Sequence, residues 1–250
     1  MRKTLPLIIA LTLVFLSSCK SNPEKKLHSA AFMGRIDQMN TLIDQGMDVN
    51  KLVDGESPLH SAVRGGHVDA VAFLMEKGAD IQAKDGKGQD AWEMVGHSGR
   101  AFIGDRDAQM MAFLLQNGFE GRISLTEAAS KGNSALLIKT LVDQGADVNE
   151  TDEFGWTPLH HAAFEARGES CLGLLQADAN VNAESTKEFS KMRMTGGDGQ
   201  TYDYRYEAGS RPLDVCSYGS SRTEKSANAV LKEWGGTQNP EVDNLRKTHR

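Results

Sequence analysis

Apolar and polar positions along this chain alternate in short blocks. Stripes of helical spacing, such as Val71, Phe73, Leu74 and Met75, are cut off by glycine and by Asp/Asn-rich breaks. The breaks recur with the stripes. Ser57-Pro58-Leu59-His60-Ser61-Ala62 and Thr157-Pro158-Leu159-His160-His161-Ala162 are near copies. Nineteen residues after each leucine come Gly78-Ala79-Asp80-Ile81 and Asp178-Ala179-Asn180-Val181. Weaker copies start at Leu27, Ala91, Leu125 and Leu213, so successive steps are 32, 32, 34, 34 and 54 residues. A period of this length predicts stacked helix pairs, each burying its apolar face against its neighbours. Pro58 and Pro158 suit the first helical position, with Ser57 and Thr157 before them as caps.

From about residue 27 to 236 the repeat resembles the ankyrin repeat family: Thr-Pro-Leu-His-x-Ala opens one helix, and a second helix ends near Gly-Ala-Asp-Val-Asn. Gly145-Ala146-Asp147-Val148-Asn149 carries that ending in full. The resemblance implies an all-α solenoid of about six helix-turn-helix units joined by β-turn fingers. Units are expected to start near residues 27, 57, 89, 124, 157 and 211, with a disordered tail over 237–250. It also implies protein binding on a concave surface of finger tips and first helices. Phe32, Arg64 and Phe164 share one variable position of the first helix and are candidate contacts, with Asp54, Glu56, Asp85 and Lys87 on the fingers. Phe154 and Trp156 lie close to the ordinary finger sequence and are expected to be structural. His28, His60 and His160 occupy one motif position, which in the family is structural.

Ahead of the repeats the pattern changes. Arg2 and Lys3 precede an apolar stretch, Leu5 to Leu16, too short to span a bilayer, and Leu16-Ser17-Ser18-Cys19 closes it. This resembles a bacterial lipoprotein signal, which implies cleavage after residue 18 and acylation of Cys19. Two or three acyl chains anchor stably. Lys20 stands where an aspartate would resemble an inner-membrane retention signal, so the outer membrane, facing the periplasm, is the expected location. Seven residues, Lys20 to Lys26, link the lipid to Leu27 and reach about 25 Å when extended.

Charge narrows the partners. The chain carries 28 Lys and Arg against 34 Asp and Glu. Loss of Arg2 and Lys3 with the leader takes the net charge from -6 to -8. Nucleic-acid binding, which needs a basic stripe, is not expected.

Two departures interrupt the array. Near Ala91 an extra loop is expected over about residues 96–107. The larger insertion, about residues 184–209, alternates on both sides of Gly196-Gly197-Asp198-Gly199 and predicts an extended β-hairpin. Period two places Tyr202, Tyr204 and Tyr206 on one face, either to recognise a partner or to pack back on the solenoid.

Cys171 and Cys216 fall at core positions of adjoining units. They can form a disulfide in an oxidising compartment or remain two buried thiols. No catalytic, metal or cofactor motif appears: His160 and His161 point to different helix faces, and Cys-x-x-Cys, His-Glu-x-x-His and Gly-x-Ser-x-Gly are absent. The expectation is a lipid-anchored, non-catalytic binding protein, with no cofactor and no small-molecule substrate. Its partner is an unidentified protein. An antidote to a periplasm-delivered toxin and a structural envelope tether are the alternatives.

Overall fold

Proline and glycine set the ends of the helices. In a computed structural model, residues 23–95, 103–119, 123–195, 201–216, 226–240 and 248–249 are described, with side chains outside 190–205 and 248–249. The chain divides into two compact units, within residues 1–97 and 98–250.

The first unit contains α1 (Pro23–Phe32), α2 (Ile36–Asp44), α3 (Pro58–Gly65), α4 (Val68–Glu76) and α5 (Ala91–Met94). Helix α1 starts four residues before the Leu27 alignment point, with Pro23 at its first position, where a missing N–H costs nothing. Its Leu27, Ala30 and Ala31 are buried. A glycine lets the end of α3 approach α1 closely: a Cβ on Gly65 would lie 2.2 Å from the Phe32 carbonyl oxygen. In α3, Ser57 caps the helix and its N–H donates to His60 Nδ1 at 3.2 Å. Only Ala70, Val71 and Leu74 of the α4 stripe are fully buried, and Phe73 instead carries the Lys77 ammonium 5.3 Å above its ring. Asp90 and Glu93 close a capping box on α5, each carboxylate accepting the other's backbone N–H at 3.0 Å.

The second unit contains α6 (Asp105–Gln116), α7 (Leu125–Lys131), α8 (Ala135–Asp143), α9 (Pro158–Phe164), α10 (Gly168–Gln176), α11 (Pro212–Val215) and α12 (Ala227–Glu233). Helices α7, α9 and α11 stack in one row and α6, α8, α10 and α12 in another, which is the expected solenoid. Ala128, Ala129, Ala162 and Ala163 sit buried in the first row. In the second, a Cβ on Gly173 would lie 2.8 Å from Ala135 Cα, so only glycine fits there. Asn149 Oδ1 accepts the Asn180 N–H at 2.9 Å and ties successive fingers together. The expected loop over 96–107 is shorter at its end, because Asp105 to Asp107 already form the first turn of α6, where acidic side chains meet the positive end of the helix dipole.

Between α10 and α11 lie β1 (Phe189–Thr195) and β2 (Thr201–Tyr206), an antiparallel pair. Phe189 faces Tyr206 and Lys191 faces Tyr204, but Met194 faces Tyr202, so β1 holds one extra residue as a bulge. The tail expected to be disordered is ordered in part. Thr248–His249 form β3, pairing with Asp203 and Tyr202 of β2, and the Thr237 N–H donates to Asn182 Oδ1 at 2.9 Å.

Candidate partner-binding surfaces

A motif histidine marks where the hairpin enters the array. His28 and His60 each reach a carbonyl 23 residues ahead, on Lys51 and Ala83, at 3.1 Å. His160 Nε2 reaches the Ser210 carbonyl at 3.0 Å, 50 residues ahead. The 27 additional residues are thus spliced into an otherwise ordinary finger. The Thr157 N–H donates to His160 Nδ1 at 3.1 Å, so the ring's proton sits on Nε2. Burial pushes the His160 pKa down to about 4, against the pull of the Ser210 carbonyl, and the ring is neutral at physiological pH.

Two serines close the splice. The Ser185 N–H donates to the Ser210 carbonyl at 2.9 Å, and the Ser210 N–H donates to Ser185 Oγ at 3.0 Å. Both hydroxyls donate to the Glu207 carbonyl, at 3.2 Å from Ser185 and 2.6 Å from Ser210. The Thr186 and Lys187 N–H groups donate to the Phe154 carbonyl at 2.9 and 3.1 Å. Gly155 permits this approach: its φ is +76°, and a Cβ there would lie 2.5 Å from the Thr186 nitrogen.

Above this seam the base of the hairpin packs on the solenoid through aromatic rings. Trp156, buried, lies 4.4 Å from Phe189, 5.6 Å from Phe164 and 5.8 Å from Tyr206, centroid to centroid. Phe154 meets Phe189 edge-on at 5.2 Å. Asp152 orders the finger beneath: its Oδ1 accepts the Phe154 and Trp156 N–H groups at 2.9 Å, and its Oδ2 lies 2.9 Å from His161 Nε2. The buried indole Nε1 of Trp156 has no hydrogen-bond acceptor among the described residues.

This packing corrects two expected contacts. Phe164 is 9% exposed and Tyr206 6% exposed, because each covers the other and Trp156. They hold the hairpin base and present little surface to a partner. Tyr202 and Tyr204 lie further out on β2, opposite Met194 and Lys191; their side chains lie outside the described residues.

In the first unit Phe32 is 44% exposed, with the Arg64 guanidinium 5.7 Å from its ring centroid. Glu56 Oε1 accepts from Arg64 Nη1 at 2.7 Å and fixes its direction. The pair offers an aromatic face and a half-satisfied cation together. Asp85 instead serves its own finger, accepting the Lys87 and Gln89 N–H groups at 2.8 Å.

Cys171 and Cys216 are buried and carry no disulfide in this structure. Cys19 lies outside the described residues, and no described helix is long and apolar enough to cross a membrane. Sequence reasoning passed over Phe189 and the Ser185/Ser210 seam. A serine stands at each end of the insertion, but Phe189 is out of phase with Met192 and Met194, and only the bulge between Lys191 and Met194 brings it to the face opposite Tyr206.

The family described as "Ankyrin repeats (3 copies)" matches residues 7–85 and 101–185. Ankyrin repeat, SAM and basic leucine zipper domain-containing protein 1 of Colobus guereza is 33% identical over 99 residues, 40% of this chain and 19% of that protein. Protein phosphatase 1 regulatory subunit 12A of Mus musculus is 47% identical over 51 residues, 20% of this chain and 5% of that one. The chain therefore spans a fifth or less of the length of these curated relatives. Among solved structures, a chain from the Bd0816 predatory endopeptidase of Bdellovibrio bacteriovorus in complex with immunity protein Bd3460 aligns with a TM-score of 0.46 and 20% identity, over 86% of this chain and 99% of that one. The human ASB11 ankyrin repeat domain aligns at 0.40 and 22%, over 85% and 99%.

Proposed function

The chain belongs to the ankyrin repeat family, and from that premise we propose that it is a non-catalytic binding protein, held by lipid on Cys19 at the periplasmic face of the bacterial outer membrane. The observation that carries the binding role is the spliced hairpin. Its base is fixed by Trp156, Phe164, Phe189 and Tyr206 and by the Ser185/Ser210 seam, so the array holds the outer strands, with Tyr202 and Tyr204, at low cost in ordering entropy. In the first unit, Phe32 and Arg64 supply a second contact of the aromatic and guanidinium type common at binding hot spots. The leader-like residues 1–18 ahead of Cys19 support the envelope location.

Crosslinking and affinity capture of the lipidated protein from membranes test this reading. Replacing residues 190–205 by Asn-Gly keeps Phe189 and Tyr206, and the helical circular dichroism should persist while a specifically crosslinked protein is lost. Retention of that protein by the truncated chain, and by a Phe32→Ala/Arg64→Ala variant, would refute both contact surfaces. A captured secreted toxin makes the chain an antidote; a captured cell-wall or membrane component makes it a tether. Labelled palmitate should enter the unchanged chain and be absent from Cys19→Ala.

A further inference from the structure

We infer that the free outer side of α1, with the first residue of α2, lies on the headgroups of an anionic bilayer and fixes the first unit's orientation there. The inference rests on the lipid anchorage proposed above. Helix α1 begins at Pro23, not at Leu27, so only Lys20, Ser21 and Asn22 separate it from Cys19. Fully extended, that segment lets Pro23 rise no more than about 14 Å from the acylated residue. A helix held this close meets the membrane with whichever side its neighbours leave uncovered.

That side is identified by His28. Its Nδ1 lies 3.2 Å from Ser61 Oγ of α3 and its Nε2 3.1 Å from the Lys51 carbonyl oxygen, so this flank of α1 faces the next repeat. At 100° per residue, Lys26 and Met33 lie about 160° and 140° round the helix from His28. Met33 keeps the helical path, since its N–H still reaches the Ser29 carbonyl at 3.1 Å. Lys26, Ser29 and Met33 are exposed together, and Ile36, three residues on at the start of α2, is exposed as well.

The composition of this side is unusual for the end of a solenoid, where an outer face is ordinarily polar. Among the described residues six large apolar side chains are exposed, and three of them, Phe32, Met33 and Ile36, fall within five positions here. Phe32 is turned toward Arg64; Met33, at 50% exposure, and Ile36 lie beyond it. Lys26 and Arg35 are exposed on the same turns, against Asp37 and the half-buried Glu24, while Lys25 is turned to Asp54 at 3.1 Å; Lys20 lies in the tether. Cations beside short apolar side chains fit an anionic interface, where the charge meets headgroups and the apolar groups enter the acyl boundary. A protein this acidic would otherwise be repelled by such a surface, so the local basic end selects which side approaches.

The test uses the mature lipidated chain in vesicles of phosphatidylethanolamine and phosphatidylglycerol. Met33→Cys, Ile36→Cys and Leu52→Cys each receive a nitroxide; Cys171 and Cys216 are buried and stay unlabelled. Labels at Met33 and Ile36 should be more accessible to membrane-dissolved oxygen than to an aqueous nickel chelate, with the order inverted at Leu52. Exchanging phosphatidylglycerol for phosphatidylcholine should move Met33 toward the aqueous value. An acylated chain whose Met33 label resembles Leu52 overturns the docking alone. Spin–spin broadening at Met33 would mean that a second copy covers this side, and also overturns it. A chain without fatty acid on Cys19 overturns the anchorage and this inference together.

Discussion

Phe164 and Tyr206 meet nearly perpendicular, at 85° and 5.6 Å between ring centroids, although 42 positions separate them in the chain. One ring ends a helix of the solenoid and the other ends a strand of the hairpin, so this contact joins the insertion to the array. Phe164→Ala should destabilise by about 3–5 kcal/mol, and a double-mutant cycle with Tyr206→Ala should give a coupling of about 0.5–1.5 kcal/mol in urea unfolding. Strict additivity would mean that hairpin and solenoid do not fold as one body.

Leu159 is fully buried in the row of helices where Ala128, Ala129, Ala162 and Ala163 are buried too. Leu159→Ala should lower the unfolding free energy by about 2–5 kcal/mol, measured as a fall in denaturant midpoint. The loss should be felt in both neighbouring repeats, since each is stabilised through its interfaces.

Acid should weaken the splice. His160 has a folded pKa near 4 against an ordinary 6.5, mainly through burial, with His161 pushing the same way and the Ser210 carbonyl and Asp152 opposing. The unfolded state therefore takes up the proton first. Stability should be level above pH 6.5 and fall as the pH drops toward 4, by about 3 kcal/mol for this group. His28, also lowered chiefly by burial, adds in the same direction. In a His160→Gln variant the slope between pH 6.5 and 4 should flatten, as read from denaturation at several pH values.

Burial, with Cys216 as a neighbour, pushes the Cys171 thiol well above its ordinary range. Burial likewise raises Cys216 to about 11, despite Lys232 and Asn228. Thiolate is the reactive form, so a folded Cys19→Ala chain should resist maleimide at pH 8 and take up two labels once unfolded. Rapid labelling of native protein would contradict the buried placement.

The repeat fold was legible because each unit states its own grammar: Pro58 and Pro158 start helices, Ser57 caps one, and alanines mark the tight interfaces. The hairpin was legible from alternation alone. What could not be read was which of its aromatics turn inward, because period two gives Tyr202, Tyr204 and Tyr206 one face without saying how far the solenoid reaches along it. Burial ends the alternation's symmetry at Tyr206, where Trp156 lies within reach. Phe164 shares its motif position with Phe32 and Arg64, but their repeats have no hairpin base to cover them. Strand β3 has no signal at all in two residues, Thr248 and His249, whose pairing depends on a partner strand some 45 positions earlier.

The serine seam also makes the fifth finger a socket. Beneath the aromatic base formed by Phe189 and Tyr206, the backbone at Ser185 and Ser210 is already bonded across at 2.9 Å, with His160 sealing the joint from behind. The length and sequence of what projects from that joint can then change without asking the helices to move. Selection, or an engineer, can exchange the projecting ribbon for another specificity while leaving the stack that carries it untouched.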